Sequence, residues 1–229
     1  MLLTFFRAYS MKHLFRLFAA IFASAVLLPA AGNAKDKPVA EAIWSGASIE
    51  YEFVKDYELE LDYENRCKLN DDKAVTNLVD LGISHDFSKN LVAGLVFRLR
   101  CKQGDTDFEW KPYVTGKYKI IDPLTLSARL MYHHEYDKND HPEEYARIRL
   151  MAEYEFSKSF SAKIRTEAFY HFAYDEGDRF DKTRSGIELE YKIIKPLSIA
   201  LFWQYDNEFN ENKNQDSRIF GLNLGYKFK

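Results

Sequence analysis

The sequence predicts an all-β protein, a transmembrane antiparallel up-and-down β-barrel of 10–12 strands with short periplasmic turns and longer extracellular loops. Three features support this prediction: a short motif recurs along the chain, the segments between turns alternate apolar and charged residues, and aromatic residues collect near both segment ends. No run of about 20 apolar residues follows Ala34, so the sequence contains no candidate membrane-spanning helix after that point.

The recurring motif joins an aromatic strand end, a short turn and a new alternating strand. Its copies are YEFVKDYEL from Tyr51, HDFSKNLVA from His85, YKIIDPLTL from Tyr118, YEFSKSFSA from Tyr154 and YKIIKPLSI from Tyr191. The front half of the motif returns as YKFK from Tyr226. One β-hairpin per repeat, with its tight turns at a single end, is typical of an antiparallel meander.

The first 34 residues predict a secretory signal peptide. Lys12 and Arg16 precede an apolar run, and a small-x-small end favours cleavage after Ala34, with Met11 as the natural start. The alternative is a single membrane-anchor helix, which the short apolar run disfavours. Residues 35–56 would then be an N-terminal periplasmic segment or a first strand, and residues 57–229 the barrel. We expect the mature protein in the cell outer membrane.

Eleven segments have strand character and exceed the usual globular length. They are 43–53, 57–66, 75–87, 90–101, 108–119, 124–136, 145–156, 160–173, 183–193, 197–208 and 218–228. The longer polar links are 67–74, 102–107, 137–144, 174–182 and 209–217. Because two periplasmic termini require an even number of strands, either 43–53 is not a barrel strand or residues 35–42 hide part of a twelfth. We favour ten strands.

Within each segment the apolar face is expected to point outward and the charged face inward. A soluble sandwich would also alternate, but its apolar faces would meet inside, leaving the many charges outside. Aromatic residues predict one belt at the tight-turn end, with Phe87, Tyr118, Phe156, Tyr191, Tyr226 and Phe228. A second belt toward the long loops comprises Tyr63, Trp110, Tyr132, Tyr136, Tyr170, Trp203 and Tyr205.

The inward charges separate into two arcs when the strands close into a barrel. The acidic wall is predicted to contain Glu58, Glu60, Asp62, Glu64, Glu188, Glu190, Asp206 and Glu208. The basic wall is predicted to contain Arg98, Arg100, Lys111, Arg129, Arg147, Arg149, Lys163 and Arg165. A water-filled lumen with opposed walls would orient small polar or charged solutes, as in a narrow porin. The alternative is a non-conducting structural or surface-interaction barrel whose interior is filled by salt bridges.

The long loops add an acidic rim that disfavours anionic solutes weakly. It comprises Asp71, Asp72, Asp105, Asp107, Asp140, Glu143, Glu144, Asp175, Glu176, Asp178 and Asp181, among others. The net charge of −3 gives no argument for nucleic-acid binding. The expected partners are outer-membrane lipids and lipopolysaccharide, the barrel-assembly machinery through the C-terminal strand, and a small-molecule solute; we expect a monomer without cofactor or metal.

An enzyme would have its candidates near the outer mouth, at His133, Glu135, Asp137 and His171. Histidine–carboxylate groups can activate water. However, the two histidines lie on strands separated by another strand, and no Ser–His pair or zinc-spaced cluster accompanies them. The sequence therefore predicts no catalytic residues and no metal site.

Cys67 and Cys101 occur in matching contexts, RCKLNDD and RCKQGD, at the long-loop end. Two cysteines in an oxidising compartment favour a disulfide. If strand 75–87 lies between them, the bond requires the two loop ends to lean together.

The layout resembles the small outer-membrane barrels of Gram-negative bacteria. It is similar to an uncharacterised family with a WSxxSxEYxF start and a GYKF end, here Trp44 to Phe53 and Gly225 to Phe228. KPYVTGKYKI and LTLSARLMYHHEY, within 111–136, resemble the oligogalacturonate-specific porin family more distantly. That resemblance implies a monomeric acidic-sugar channel lined by basic residues, with Arg129, Arg147 and Arg149 in this role. The acidic wall and rim depart from that pattern.

Overall fold

The computed structural model describes residues 39–69, 75–102, 104–136, 142–172, 179–209 and 215–228. Lys37–Lys229 forms one compact unit. The predicted signal peptide (1–34) lies outside the described residues, as do Asp137 and the rim acids Asp71, Asp72, Asp140, Asp175, Glu176 and Asp178.

The described residues form eleven strands joined at one end by tight turns. The strands are β1 Val39–Val54, β2 Tyr57–Lys68, β3 Val75–Ser88, β4 Leu91–Lys102, β5 Asp105–Ile121, β6 Leu124–Tyr136, β7 Glu143–Glu155, β8 Phe160–Phe172, β9 Arg179–Ile194, β10 Leu197–Glu208 and β11 Asp216–Phe228. Two of them, β6 and β10, have the bounds predicted from the sequence. Of the segment predicted as 35–56, the described part forms β1 and its turn.

The eleven strands make one closed barrel in which chain order is also circumferential order. Sequential strands pair antiparallel, and β1 closes the barrel by pairing parallel with β11, from Val39 opposite Asp216 to Tyr51 opposite Phe228. The prediction of an even number, and of ten in particular, was wrong for the described residues. It assumed that both termini lie at the periplasmic rim, whereas β1 and β11 run in the same direction, so Val39 and Phe228 lie at opposite rims.

The outward face is apolar and exposed, which is the reverse of a soluble sandwich. Leu81 is 54% exposed and Leu201 57% exposed, although both lie in the middle of strands. Charged residues occupy the inward positions of the same strands, which follows from the two-residue period of a strand. Glu41 and Arg218 are exceptions: they are outward-facing register partners at the long-loop rim, where β1 meets β11.

Among the residues that the structure describes, no helix is long or apolar enough to span a membrane. At the tight-turn rim, Tyr226 and Phe228 belong to the predicted aromatic belt, and Tyr51, which the prediction did not include, packs with them. Tyr226 and Tyr51 both contact the Phe228 ring, at centroid distances of 4.6 and 6.3 Å. At the opposite rim Trp110 contacts Tyr132 at 5.6 Å.

The link predicted at 102–107 is much shorter than expected. Strand β4 ends at Lys102 and β5 begins at Asp105, so only residues 103 and 104 connect them. Gly104 has φ 94°, a left-handed conformation that glycine adopts without the steric cost of a Cβ. The polar residues that suggested a loop instead lengthen β4 and β5 beyond the bounds predicted for these strands.

The predicted disulfide is absent, because Cys67 and Cys101 are both free thiols. Cys67 lies opposite Val75 of β3, and Cys101 lies opposite Asn77 of the same strand. With β3 between them, the two backbones are about 10 Å apart, which is beyond the reach of a disulfide.

Candidate functional site in the barrel interior

The interior contains a central cavity of about 500 Å³ lined by residues from all eleven strands. A second cavity of about 960 Å³ lies toward the tight-turn rim and is lined by Glu50, Lys163, Glu190 and Lys192, among others. The linings are largely charged or polar, so water and polar solutes are the species that fit them.

The structure places all sixteen predicted wall residues at inward positions of their strands. Those lining the central cavity are Glu60, Asp62, Glu64, Glu188, Arg98, Arg100, Lys111, Arg129, Arg147, Arg149 and Arg165. Lys163 and Glu190 line the second cavity. Glu58 binds Lys227, while Asp206 and Glu208 lie with Lys182 near the long-loop rim.

The basic wall carries more positive charge than its own carboxylates neutralise. Arg147 and Arg149 on β7 share one carboxylate, Glu167, with an Arg147 nitrogen 3.7 Å from it and Arg149 Nε hydrogen-bonded to it. Among the described residues, the ion pair of Arg165 is with Glu188, at 3.6 Å, and Lys163 binds the same carboxylate at 3.0 Å. The Nε of Arg165 is buried and makes no hydrogen bond.

Arg129 makes no ion pair among the described residues. Its Nε donates to Thr115 Oγ1 at 2.8 Å, and its guanidinium lies 4.3 Å from the centre of the Tyr113 ring. Both contacts hold the charge in position without neutralising it, because a hydroxyl and an aromatic face carry no net charge.

The acidic wall shows the opposite imbalance on β1 and β2. Lys227 Nζ binds Glu50 at 2.7 Å and hydrogen-bonds Glu58 at the tight-turn side. Further along β2, Glu60 and Asp62 line the central cavity and make no ion pair in the described part of the chain. Two carboxyls without a basic partner therefore face the central cavity.

Ion pairs in the described residues run along the barrel wall and not across the lumen. Each joins residues of one strand or its turn, of neighbouring strands, or of strands two apart. In a barrel of eleven strands, opposite walls are five strands apart, as β2 and β7 are. The network thus stiffens each wall and leaves the space between the walls open.

The densest network lies toward the long-loop side of β3 to β7. Asp80 accepts two hydrogen bonds from Arg98, at 2.6 and 2.7 Å, and one from Lys111 Nζ at 2.8 Å. Glu109 accepts from the Tyr145 hydroxyl at 3.0 Å and hydrogen-bonds His133 Nδ1. Bidentate and charge-assisted bonds of this kind fix side-chain positions firmly.

The two histidines considered for catalysis lie in separate networks. His133 stacks on Tyr145 with ring centres 4.1 Å apart, and His171 lies 2.5 Å from Asp181 on β9. Glu135 hydrogen-bonds Arg100 instead of either histidine. No serine or cysteine lies in hydrogen-bond contact with His133, and the described residues contain no cluster that fits a metal ion.

Aromatic side chains also point into the interior, and the sequence reasoning overlooked them. Trp44 is 7% exposed and packs against Ile219 and edge-on against Phe202. The guanidiniums of Arg66 and Arg184 lie 3.9 and 5.1 Å from its ring centre. These residues share the inward parity of the charged positions, which is the signal that would have revealed them.

Two glycines make room for interior side chains to lie flat on the wall. A Cβ on Gly94 would lie 2.6 Å from the Tyr113 ring, and one on Gly221 would lie 2.0 Å from the Phe202 ring. Because the glycines lack that atom, both rings lie close against the wall instead of filling the lumen.

Comparison with known proteins agrees with this geometry. A family model described as "Protein of unknown function (DUF2490)" matches residues 41–217. The solved NanC porin matches with a TM-score of 0.58 at 11% identity, over 82% of this chain and 99% of that one. The KdgM porin in complex with disordered oligogalacturonate matches with a TM-score of 0.50 at 16% identity, over 80% and 90%. These likenesses show a shared porin-type barrel fold; no curated protein matches the chain.

Proposed function

The chain belongs to the DUF2490 family, and we propose that it is an outer-membrane porin, a narrow channel that admits small polar or charged solutes between an acidic and a basic wall. The observation that carries the proposal is the direction of the ion pairs. They follow the wall, so the charges that face the central cavity are not consumed in bridging it.

The location in an outer membrane is supported by the exterior of the barrel. A broad apolar surface between two aromatic rims suits a bilayer, and closure of the sheet satisfies every strand edge. The NanC and KdgM proteins, which share the fold, are porins by description. The predicted signal peptide would direct the export that such a location requires.

The competing proposal is a plugged, structural barrel. It requires salt bridges between opposite walls, and the described residues contain none. Trp44 narrows the barrel interior, but no ion pair across the lumen holds it there in the described residues. Arg66 and Arg184 contact its ring, and each binds a carboxylate on its own strand or the neighbouring one.

Single-channel recording in planar bilayers tests the proposal. Purified protein whose gel mobility shifts on heating, as a folded barrel's does, is expected to produce discrete conductance steps. Trp44→Ala is expected to increase the step size, because it removes a bulky group from the interior. Trp203→Ala is the matched control, because Trp203 is 40% exposed on the outer face. Folded protein that gives no steps above background would reject the channel.

A further inference from the structure

We propose that the central cavity is a site for small zwitterionic solutes, which carry an ammonium and a carboxylate group. The inference rests on the proposed channel function and names its preferred solute class. The ammonium would face Glu60 and Asp62, and the carboxylate would face Arg129 and Arg165 across the same cavity.

The first argument is the charge imbalance at the two walls. On one side, Glu60 and Asp62 both line the cavity, and neither makes an ion pair within the described part of the chain. An ammonium donates up to three hydrogen bonds and satisfies both groups at once. Lys227 does not provide this charge, because it is bound to Glu50 and Glu58 nearer the tight-turn rim.

The second argument is the unused donor capacity of the arginines. Within the part of the chain that the structure describes, Arg129 has no carboxylate partner and the buried Nε of Arg165 has no acceptor. A guanidinium binds a carboxylate through two parallel hydrogen bonds, which fixes the orientation of a solute as well as its position. Arg147 and Arg149 add positive charge that Glu167 alone does not balance.

The third argument is the distance between the two walls. β2 is four strands from β6 and five from β8, so Glu60 and Arg165 come from opposite sides of the barrel. They line one cavity of about 500 Å³, a volume within the range of small-molecule sites. Glu60 and Arg129 line the same space and form no ion pair with each other. The acidic and basic side chains on opposite walls do not pair with each other directly. A solute with separated opposite charges can contact both walls at once.

A solute with only one charge fits this cavity less well. A simple anion is attracted by the arginines but repelled by the carboxyl pair. A simple cation is attracted by the carboxyl pair but repelled by the arginines. An uncharged polar molecule gains neither contact. The zwitterion is the class for which both walls are attractive at the same time.

Liposome swelling distinguishes these classes, because neither a zwitterion nor an uncharged solute moves net charge. We would compare 4-aminobutyrate with uncharged 4-hydroxybutanamide, which is similar in size, in vesicles that contain the purified barrel. The zwitterion is expected to enter several-fold faster. The Glu60→Gln, Asp62→Asn double variant and the Arg129→Gln, Arg165→Gln double variant are each expected to reduce the ratio of zwitterion entry to amide entry to about one.

The matched control is Lys119→Gln with Asp122→Asn, which removes one charge of each sign from an ion pair at the tight turn between β5 and β6, outside the central cavity. It is expected to keep the preference. Heat-dependent gel mobility checks that each variant folds. If a double variant does not fold, the single change Glu60→Gln or Arg129→Gln is tested in its place.

The outcomes separate this inference from the proposed function. Equal entry of both solutes through folded wild-type protein, or a preference that survives either wall variant, would overturn the zwitterion site and leave the channel intact. Failure of both solutes to enter would reject the channel itself, and the zwitterion site with it.

Discussion

Replacing Glu167 with glutamine tests whether the basic wall depends on its shared carboxylate. The Glu167 side chain is 1% exposed, while those of its partners Arg147 and Arg149 are 14% and 25% exposed. Glutamine keeps the size and loses the charge, so both guanidiniums would remain close together without a counter-ion. Their mutual repulsion, previously offset, would then oppose folding of β7 and β8.

The expected loss of stability follows from the depth of the pair. Two unit charges 4 Å apart interact by about 4 kcal/mol at an effective dielectric constant of about 20. Breaking a buried pair commonly costs about 3–5 kcal/mol. Because both arginines keep some contact with the cavity, we expect the lower end, a loss of about 3 kcal/mol.

Equilibrium unfolding in urea of the barrel refolded in lipid vesicles measures this loss. With a denaturant slope of about 2 kcal/mol per molar, the midpoint is expected to fall by about 1.5 M. Glu153→Gln is the matched control on β7, because no ion pair of Glu153 is present in the described residues; we expect a change below about 0.5 kcal/mol. A Glu167→Gln midpoint equal to that of the control would refute the argument.

Two further predictions concern the seam and the close contacts of the wall. In a cysteine-free background, Ala47→Cys with Leu224→Cys is expected to form a disulfide on oxidation, because these residues are register partners in the parallel seam. Unaltered gel mobility after oxidation would contradict that register. Gly94→Val is expected to lower stability by about 1–3 kcal/mol in the same urea assay, because its Cβ would lie 2.6 Å from the Tyr113 ring, and an unchanged midpoint would show that the ring can move aside.

The strand pattern was predictable because the outer surface and the interior of the barrel impose opposite preferences on alternate residues. In β6 and β10 this alternation continues to both ends, and the predicted bounds agree with the structure. In β9 the prediction began at 183, whereas the strand begins at Arg179. A register shift where Tyr170 pairs with Phe180 interrupts the two-residue period there, which hid the first residues of the strand.

The rule that such barrels have an even number of strands did not predict how this barrel closes. That rule assumes that both termini lie at the periplasmic rim, but the parallel seam places Val39 beside Asp216, at the rim opposite to Phe228. The disulfide prediction failed for a related reason. It depended on the register of β3 between Cys67 and Cys101, and matching sequence contexts do not carry information about register.

The division of the interior into two walls follows directly from the meander. Because chain order is circumferential order, a predominance of basic over acidic inward residues in β4 to β8 becomes one side of the barrel. Had acids and bases alternated from strand to strand, every charge would have found a neighbour, and no field would remain across the lumen. The surplus on each wall, at Glu60 and Asp62 and at Arg129 and Arg165, is therefore a consequence of charge segregation along the sequence, and it is this surplus that a passing solute would meet.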